Sequence, residues 1–164
     1  MKLNDPVPVK MRDFVLNGIF DCIKLGQTKE WILNNFPDPD DWGGNDGWDI
    51  WRYGLFEFHF TGDVLNAIFC DSFYDFATGE WSLNAGQSIV VEPWVFADPS
   101  KMGLVDVIRT LIRESADFSV NNKLSLGYVA VNIRRSGVEL GFAPSDEDEP
   151  DAGAYQFGWF SLKK

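Results

Sequence analysis

The sequence predicts an α+β fold in which an antiparallel sheet built from hairpins carries helices packed on one face. Three observations lead there. Residues 56–70 and 128–142 alternate apolar and polar side chains on either side of a Gly-containing turn, the pattern of half-buried hairpins. Apolar residues recur at helical spacing near the N-terminus and again over 104–115. The elements follow in the order helices, hairpin, short strands, helix, hairpin, strand; hairpins make antiparallel neighbours, and each amphipathic helix needs a sheet face to cover. Both halves run helix then hairpin, which points to an internal pseudo-repeat.

Element by element, Phe14, Val15, Ile19, Cys22 and Ile23 predict a first helix over 8–24, with Gly26 ending it. A second helix is expected over 28–36. Thr28 is its N-cap, Glu30 complements the first turn, Pro37 stops it, and Trp31, Ile32 and Phe36 face the core. In the next run Phe56, Phe58 and Phe60 alternate with Leu55, Glu57 and His59, and Thr61-Gly62-Asp63 turns the chain into 64–70. Short strands are expected at 81–83 and 89–92, around the turn residues Asn84, Ala85 and Gly86. A third helix opens at Asp98 or Ser100, with Leu104, Val105, Ile108, Leu111, Ile112 and Ser115 as its apolar stripe. A loop around Asn121 and Asn122 leads to the second hairpin, 128–134 and 138–142, and a last strand over 155–160 closes a sheet edge.

Length and composition favour one globular domain over 1–164, large enough to bury about two thirds of the surface its unfolded chain exposes. The 14 Phe, 7 Trp and 4 Tyr supply the large side chains that disordered segments lack. Fourteen Lys and Arg against 25 Asp and Glu give a net charge of −11, which argues against a phosphate-coating nucleic-acid partner. No apolar run reaches the ~18 residues of a spanning helix and the N-terminus has no signal-peptide pattern, so the expectation is a cytoplasmic protein with no membrane partner. Cys22 and Cys70 are too sparse for a disulfide framework or a zinc site, and two reduced, mostly buried thiols are expected.

The acidity is concentrated. Residues 38–49 (Asp38, Asp40, Asp41, Asp46, Asp49) and 146–151 (Asp146, Glu147, Asp148, Glu149, Asp151) hold ten acids and no bases, and the rest of the chain is close to neutral. Such blocks are read either as solvated loops or as patches that attract a basic partner. The first also holds Trp42, Trp48 and Trp51 among Gly43, Gly44 and Gly47. Tryptophan is enriched at binding hot spots and acidic neighbours steer basic partners. At least one of the three is expected in the core and at least one exposed. The partner-binding residues expected are Asp38, Asp40, Asp41, Trp42, Asp46, Trp48, Asp49, Asp146, Glu147, Asp148, Glu149 and Asp151.

Signals for chemistry are weaker. His59, the one histidine, lies out of phase with the phenylalanines and reads as an exposed or hydrogen-bonded structural residue; a nucleophile elbow, a Walker A loop and a dinucleotide fingerprint are absent. Counting Asp38 as position one of a calcium loop puts Asp40 at three, Gly43 at six, Asp46 at nine and Asp49 at twelve, but Trp42 stands where an oxygen ligand belongs and Asp49 replaces the bidentate Glu. No metal, cofactor or catalytic residue is therefore assigned.

The run Leu25-Gly26-Gln27-Thr28-Lys29-Glu30 through Phe36-Pro37-Asp38-Pro39, then Tyr53-Gly54-Leu55-Phe56-Glu57-Phe58 and the hairpin to Cys70-Asp71, resembles small bacterial immunity proteins of polymorphic toxin systems. It is also similar to domains of the outer-membrane assembly lipoprotein and beta-lactamase-inhibitor-protein types, although this chain has no lipobox cysteine. The resemblance covers residues 25–71 and implies a protein that binds and blocks another protein, such as a basic toxin domain. An adaptor domain with another partner, and a hydrolase or calcium-binding protein using the acidic loops, stand as alternatives.

Overall fold

The structure, a computed structural model, describes residues 6–45, 47–75, 80–144 and 151–163. Its strands are β1 (Val7–Lys10), β2 (Asp41–Asn45), β3 (Trp48–Tyr53), β4 (Phe56–Thr61), β5 (Val64–Cys70), β6 (Tyr74–Asp75), β7 (Glu80–Trp81), β8 (Ile89–Glu92), β9 (Phe118–Lys123), β10 (Tyr128–Ile133), β11 (Val138–Ala143) and β12 (Gln156–Lys163). The α-helices are α1 (Met11–Asn17), α2 (Lys29–Asn35) and α3 (Leu104–Arg113). Eight strands form one antiparallel sheet in the order β2-β3-β4-β5-β12-β11-β10-β9; β1 pairs in parallel with β8, and β6 with β7, in two small ribbons. The α+β antiparallel architecture expected from the sequence is present.

Several elements depart from the sequence reading for identifiable reasons. The predicted first helix spans only Met11–Asn17: Val7 and Val9 alternate with exposed neighbours as a strand, and Gly18, at φ 71° in the left-handed region, closes the helix by donating to Phe14 O. Helix α2 matches in extent, with Thr28 Oγ1 accepting from Trp31 N, but Trp31 faces solvent while Ile32 and Phe36 are buried. Before α3, Asp98 caps a single 3-10 turn, Pro99–Lys101, instead of the helix itself. Val107 joins Leu104 and Leu111 in the core, and Val105 and Ile112 are exposed.

The strand predictions need more revision. Residues 38–49 are not a loop, because 41–45 pair with 48–52 as a hairpin. Gly54, at φ 57°, turns β3 into β4; a Cβ there would sit 2.3 Å from Gly86 N, so the position requires glycine. The strands at 80–81 and 89–92 find separate partners and do not pair with each other. Asn121 and Asn122 belong to edge strand β9, and the last strand, predicted at an edge, lies in the centre of the sheet between β5 and β11.

That central position reveals the repeat. A helix followed by a four-stranded meander occurs twice, α2 with β2–β5 and α3 with β9–β12, and the meanders join through β5 and β12. The pairs Phe160↔Cys70 and Leu162↔Ile68 flank Ser161↔Phe69 symmetrically, which defines a local two-fold axis through that middle pair. Outward from it the registers agree step by step. Glu57 pairs with Phe69 and Glu139 with Ser161; Arg52 pairs with Glu57 and Asn132 with Glu139; Asp41 pairs with Arg52 and Ser119 with Asn132. Both repeats carry a bulge at the same place, skipping Asn66 in β5 and Gly158 in β12. The helix starts correspond too. Thr28 bridges to Val64 and Gly103 to Gln156, while Leu65 N donates to Gln27 O and Phe157 N to Met102 O. Few residues are identical between the repeats, because an alternating pattern and one bulge suffice to fix a register.

The helices cover one sheet face through a shared aromatic core. Phe14 packs on Phe160, Phe20 on Phe56 and Phe58, Phe36 on Tyr53 and Phe58, and Phe160 on Phe56, Phe73 and Phe157, so rings from both repeats form one cluster. Phe160 is fully buried on the strand that joins the repeats. Phe160→Ala is expected to lower the unfolding free energy by about 3–5 kcal/mol, measured by urea denaturation. A loss below about 1 kcal/mol would contradict this packing.

Candidate binding surface

Folding the acidic segment into a hairpin gives its residues different surroundings. Alternation along β3 points Trp51 and Tyr53 to the helix-covered face and Trp48, Ile50 and Arg52 to the other. On β2, Trp42 pairs directly with Trp51, and Asp41 with Arg52. Trp51 is 9% exposed and packs its ring 4.6 Å from that of Phe60. Trp42 is 71% exposed and Trp48 45%, so one tryptophan belongs to the core and two reach solvent, on opposite sides of the sheet.

The acids divide as well. Asp40 is structural: its Oδ2 accepts from Gly54 N at 2.8 Å, its own N–H donates to Arg52 O at 2.8 Å, and the carboxylate lies against Gly86, ending β3 and holding the Asn84–Gly86 loop to it. Asp41 Oδ2 accepts from Arg52 Nη1 at 3.1 Å, and Arg52 Nε donates to Glu57 Oε1 at 3.2 Å. These two carboxylates, Glu57 foremost, raise the guanidinium pKa. Asp49 is ion-paired with Lys29 of α2, whose ammonium also lies 3.9 Å from Asp63 and over the Phe60 ring. Asp38 stands beside Tyr53, whose hydroxyl donates to Pro37 O at 2.9 Å; burial first, then the charges of Asp38 and Asp40, push the phenol pKa up. Asp40 and Asp49 thus turn to different partners on an extended ribbon, a geometry unlike the enclosing turn of a calcium loop.

Between α2 and the sheet edge these residues frame a groove of about 420 Å³, lined by Leu33, Asp38, Pro39, Trp42 and Trp51. Its position follows from α2, which buries Ile32 and Phe36 and so turns Leu33 toward the edge. The Tyr53 to Pro37 hydrogen bond fixes the Pro-containing wall.

Asp46, Asp146, Glu147, Asp148 and Glu149 lie outside the described residues. Asp151 is exposed and caps the 3-10 turn Ala152–Ala154 by accepting from Gly153 N at 2.9 Å. It belongs to the second repeat, while the first acidic segment belongs to the first, with β3, β4 and β5 between β2 and β12.

The opposite face, free of helices among the described residues, carries features that the sequence reading passed over. Trp48 sits edge-on to His59, His59 edge-on to Phe69, and Lys163 over Phe69. Trp159 lies across Gly141, where a Cβ would stand 1.9 Å from the indole, and meets Tyr128 edge-on at 5.9 Å. His59 Nε2 and Glu57 Oε2 are 2.9 Å apart, which ties the histidine into the Asp41–Arg52–Glu57 chain. The period-two alternation of residues 128–134 and of 155–160 placed Tyr128 and Trp159 on strands, and only their register shows that they meet.

Comparison with known proteins returns no match. No family model, curated protein or solved structure corresponds to this chain. No helix among the described residues is long and apolar enough to cross a membrane.

The two thiols are unpaired and unreactive by position. Burial pushes Cys22 from an ordinary 9.0 to about 11, helped by Asp21, and pushes Cys70 from 9.0 to about 12. Each keeps its proton more tightly folded than unfolded, so above pH 9 the unfolded chain releases protons the folded chain retains. Stability conferred by these groups is full below that pH and falls as pH rises toward 12. Urea unfolding at pH 8 and pH 10.5 should show the loss, reduced in Cys70→Ser compared as a difference between the two pH values; equal losses in both proteins would refute the assignment. Asp40→Ala should cost about 1 kcal/mol because it removes the acceptor of the Gly54 N–H at the β3–β4 turn, whereas Asp41→Asn, which keeps a polar partner for Arg52, should stay within about 0.5 kcal/mol. Equal effects in urea titrations would show that Asp40 has no special role.

Proposed function

We propose that this chain is a non-catalytic protein-binding module, an immunity protein or inhibitor that blocks a basic toxin or enzyme, with the β2 edge of its first repeat as the contact surface. The observation that carries this reading is Trp42: a large indole 71% exposed on an edge strand, in a groove that it shares with Leu33, Pro39 and Asp38. Leaving such a ring in water is unfavourable by the area it exposes, and a partner that covers it recovers that energy. Charge supports the choice of partner. Residues 28–70 hold eight Asp and Glu against two Lys and Arg, an excess that internal ion pairing redistributes but does not cancel. A field of this sign accelerates encounter with a basic surface, and the aromatic contact slows departure.

The reading assigns distinct tasks to residues that the sequence grouped together. Trp42 with Leu33 and Pro39 forms the apolar centre and Asp38 its charged rim, while Asp41 turns to Arg52 on the far face and Asp40 holds the adjoining β3–β4 turn. Trp48, on the far face, extends the surface only for a partner that wraps around the edge.

Affinity capture from the native organism, run in parallel with wild-type protein and with Trp42→Ala, tests the proposal. A basic protein retained by the wild type and lost or weakened more than about tenfold by the variant is the expected outcome, since hot-spot tryptophans cost upward of ~2 kcal/mol on truncation. A partner bound equally by both proteins would contradict it.

A further inference from the structure

The repeat makes an internal comparison possible, because the two-fold relates every position of the first meander to one in the second. At the edge hairpin the correspondence is Asp41 to Ser119, Trp42 to Val120, Asp49 to Val129 and Trp51 to Val131. The second repeat therefore carries Ser and Val where the first carries Asp and Trp. Serine and valine suit an ordinary strand surface, and they show that the scaffold does not need tryptophan or aspartate there. Charge breaks the symmetry in the same direction. Against the eight acids and two bases of 28–70, residues 103–163 hold nine acids and six bases, four of those acids at 146–149 outside the described residues.

Two of these departures, Trp42 and Trp51, line the groove between α2 and β2. Its walls are the aliphatic side chain of Leu33, the ring of Pro39 and two indoles, and its charged member is Asp38. Apolar walls with an aromatic face and one carboxylate complement a long apolar stem that ends in a flat cation. The arginine side chain has that form: its guanidinium stacks on an indole while offering paired N–H donors to a carboxylate, which a lysine ammonium does less well. We infer that this groove is the receptor for an arginine side chain presented on the basic surface of the partner, its stem against Leu33 and Pro39 and its guanidinium between Trp42 and Asp38. The inference rests on the protein-binding reading and specifies what that surface recognises.

The test uses the intact chain and a single-residue probe. Nα-acetyl-arginine amide is titrated while the indole N–H signals of Trp42 and Trp48 and the Leu33 methyl signals are followed by NMR; neutral, isosteric Nα-acetyl-citrulline amide is the control. Saturable shifts at Trp42 and Leu33 with a millimolar Kd are expected, at least about threefold weaker for citrulline and about threefold weaker in Asp38→Asn. Trp42→Val, which installs the residue of the second repeat at an exposed position, should abolish the Leu33 response while leaving the other methyl signals in place. Equal binding of citrulline, equal shifts at Trp48, or no response at tens of millimolar probe would overturn the assignment. Failure here alongside Trp42-dependent capture would remove the arginine and leave the binding surface. An arginine response without Trp42-dependent capture would keep the groove's chemistry and remove the proposed function.

Discussion

Everything in this fold hangs on the pairing of β5 with β12. Each meander alone would expose an unpaired strand along its inner edge and half of an aromatic core. Four register pairs from Phe160↔Cys70 to Lys163↔Ala67 remove both defects at once. Phe160 carries the seam into the core, touching Phe14 from the N-terminal helix, Phe56 from the first repeat and Phe157 from its own strand. Because rings from both repeats interlock there, the helices above and the sheet below share one packing problem. The outer strands, β2 and β9, are left as the two places where the sheet meets solvent along an open edge.

A two-fold scaffold offers two equivalent edges, and the chain treats them differently. The β9 edge carries Ser119, Val120, Asn121, Asn122 and Lys123, whose polar and cationic members are ordinary means of keeping an edge from pairing with strangers. The β2 edge carries Asp41 and the exposed indole of Trp42 beside an apolar groove, while Asp40, just before the strand, secures the turn from β3 to β4. The proposed contact surface lies on the edge that leaves an indole in water, not on the edge of small and polar side chains.

Alternation in 56–70 and 128–142 revealed both hairpins, because period two has no other explanation over that length. Thr28, Glu30 and Pro37 likewise marked α2 at both ends. The hairpin at 41–53 was hidden by Gly43, Gly44 and Gly47, which look like loop residues until Trp42 and Trp51 are seen facing each other across two strands. The central place of β12 was illegible, since an eight-residue alternating strand fits an edge or a centre equally well and only long-range pairing decides. The acid count was legible and its meaning was not. Asp40, Asp41 and Asp49 look alike in sequence, yet a backbone N–H, an arginine and a lysine claim them separately. The repeat showed itself only as a recurring order, because so few of its residues are identical.

The most direct test of the central claim, that recognition sits where the first repeat departs from the second, is a hydrogen-exchange footprint of the chain in complex with its captured partner. The account predicts that protection gained on binding is concentrated in residues 33–51, with the β9 edge at 118–123 exchanging as it does in the free protein. Protection centred on 118–133, or confined to the face that carries Tyr128 and Trp159, would contradict it.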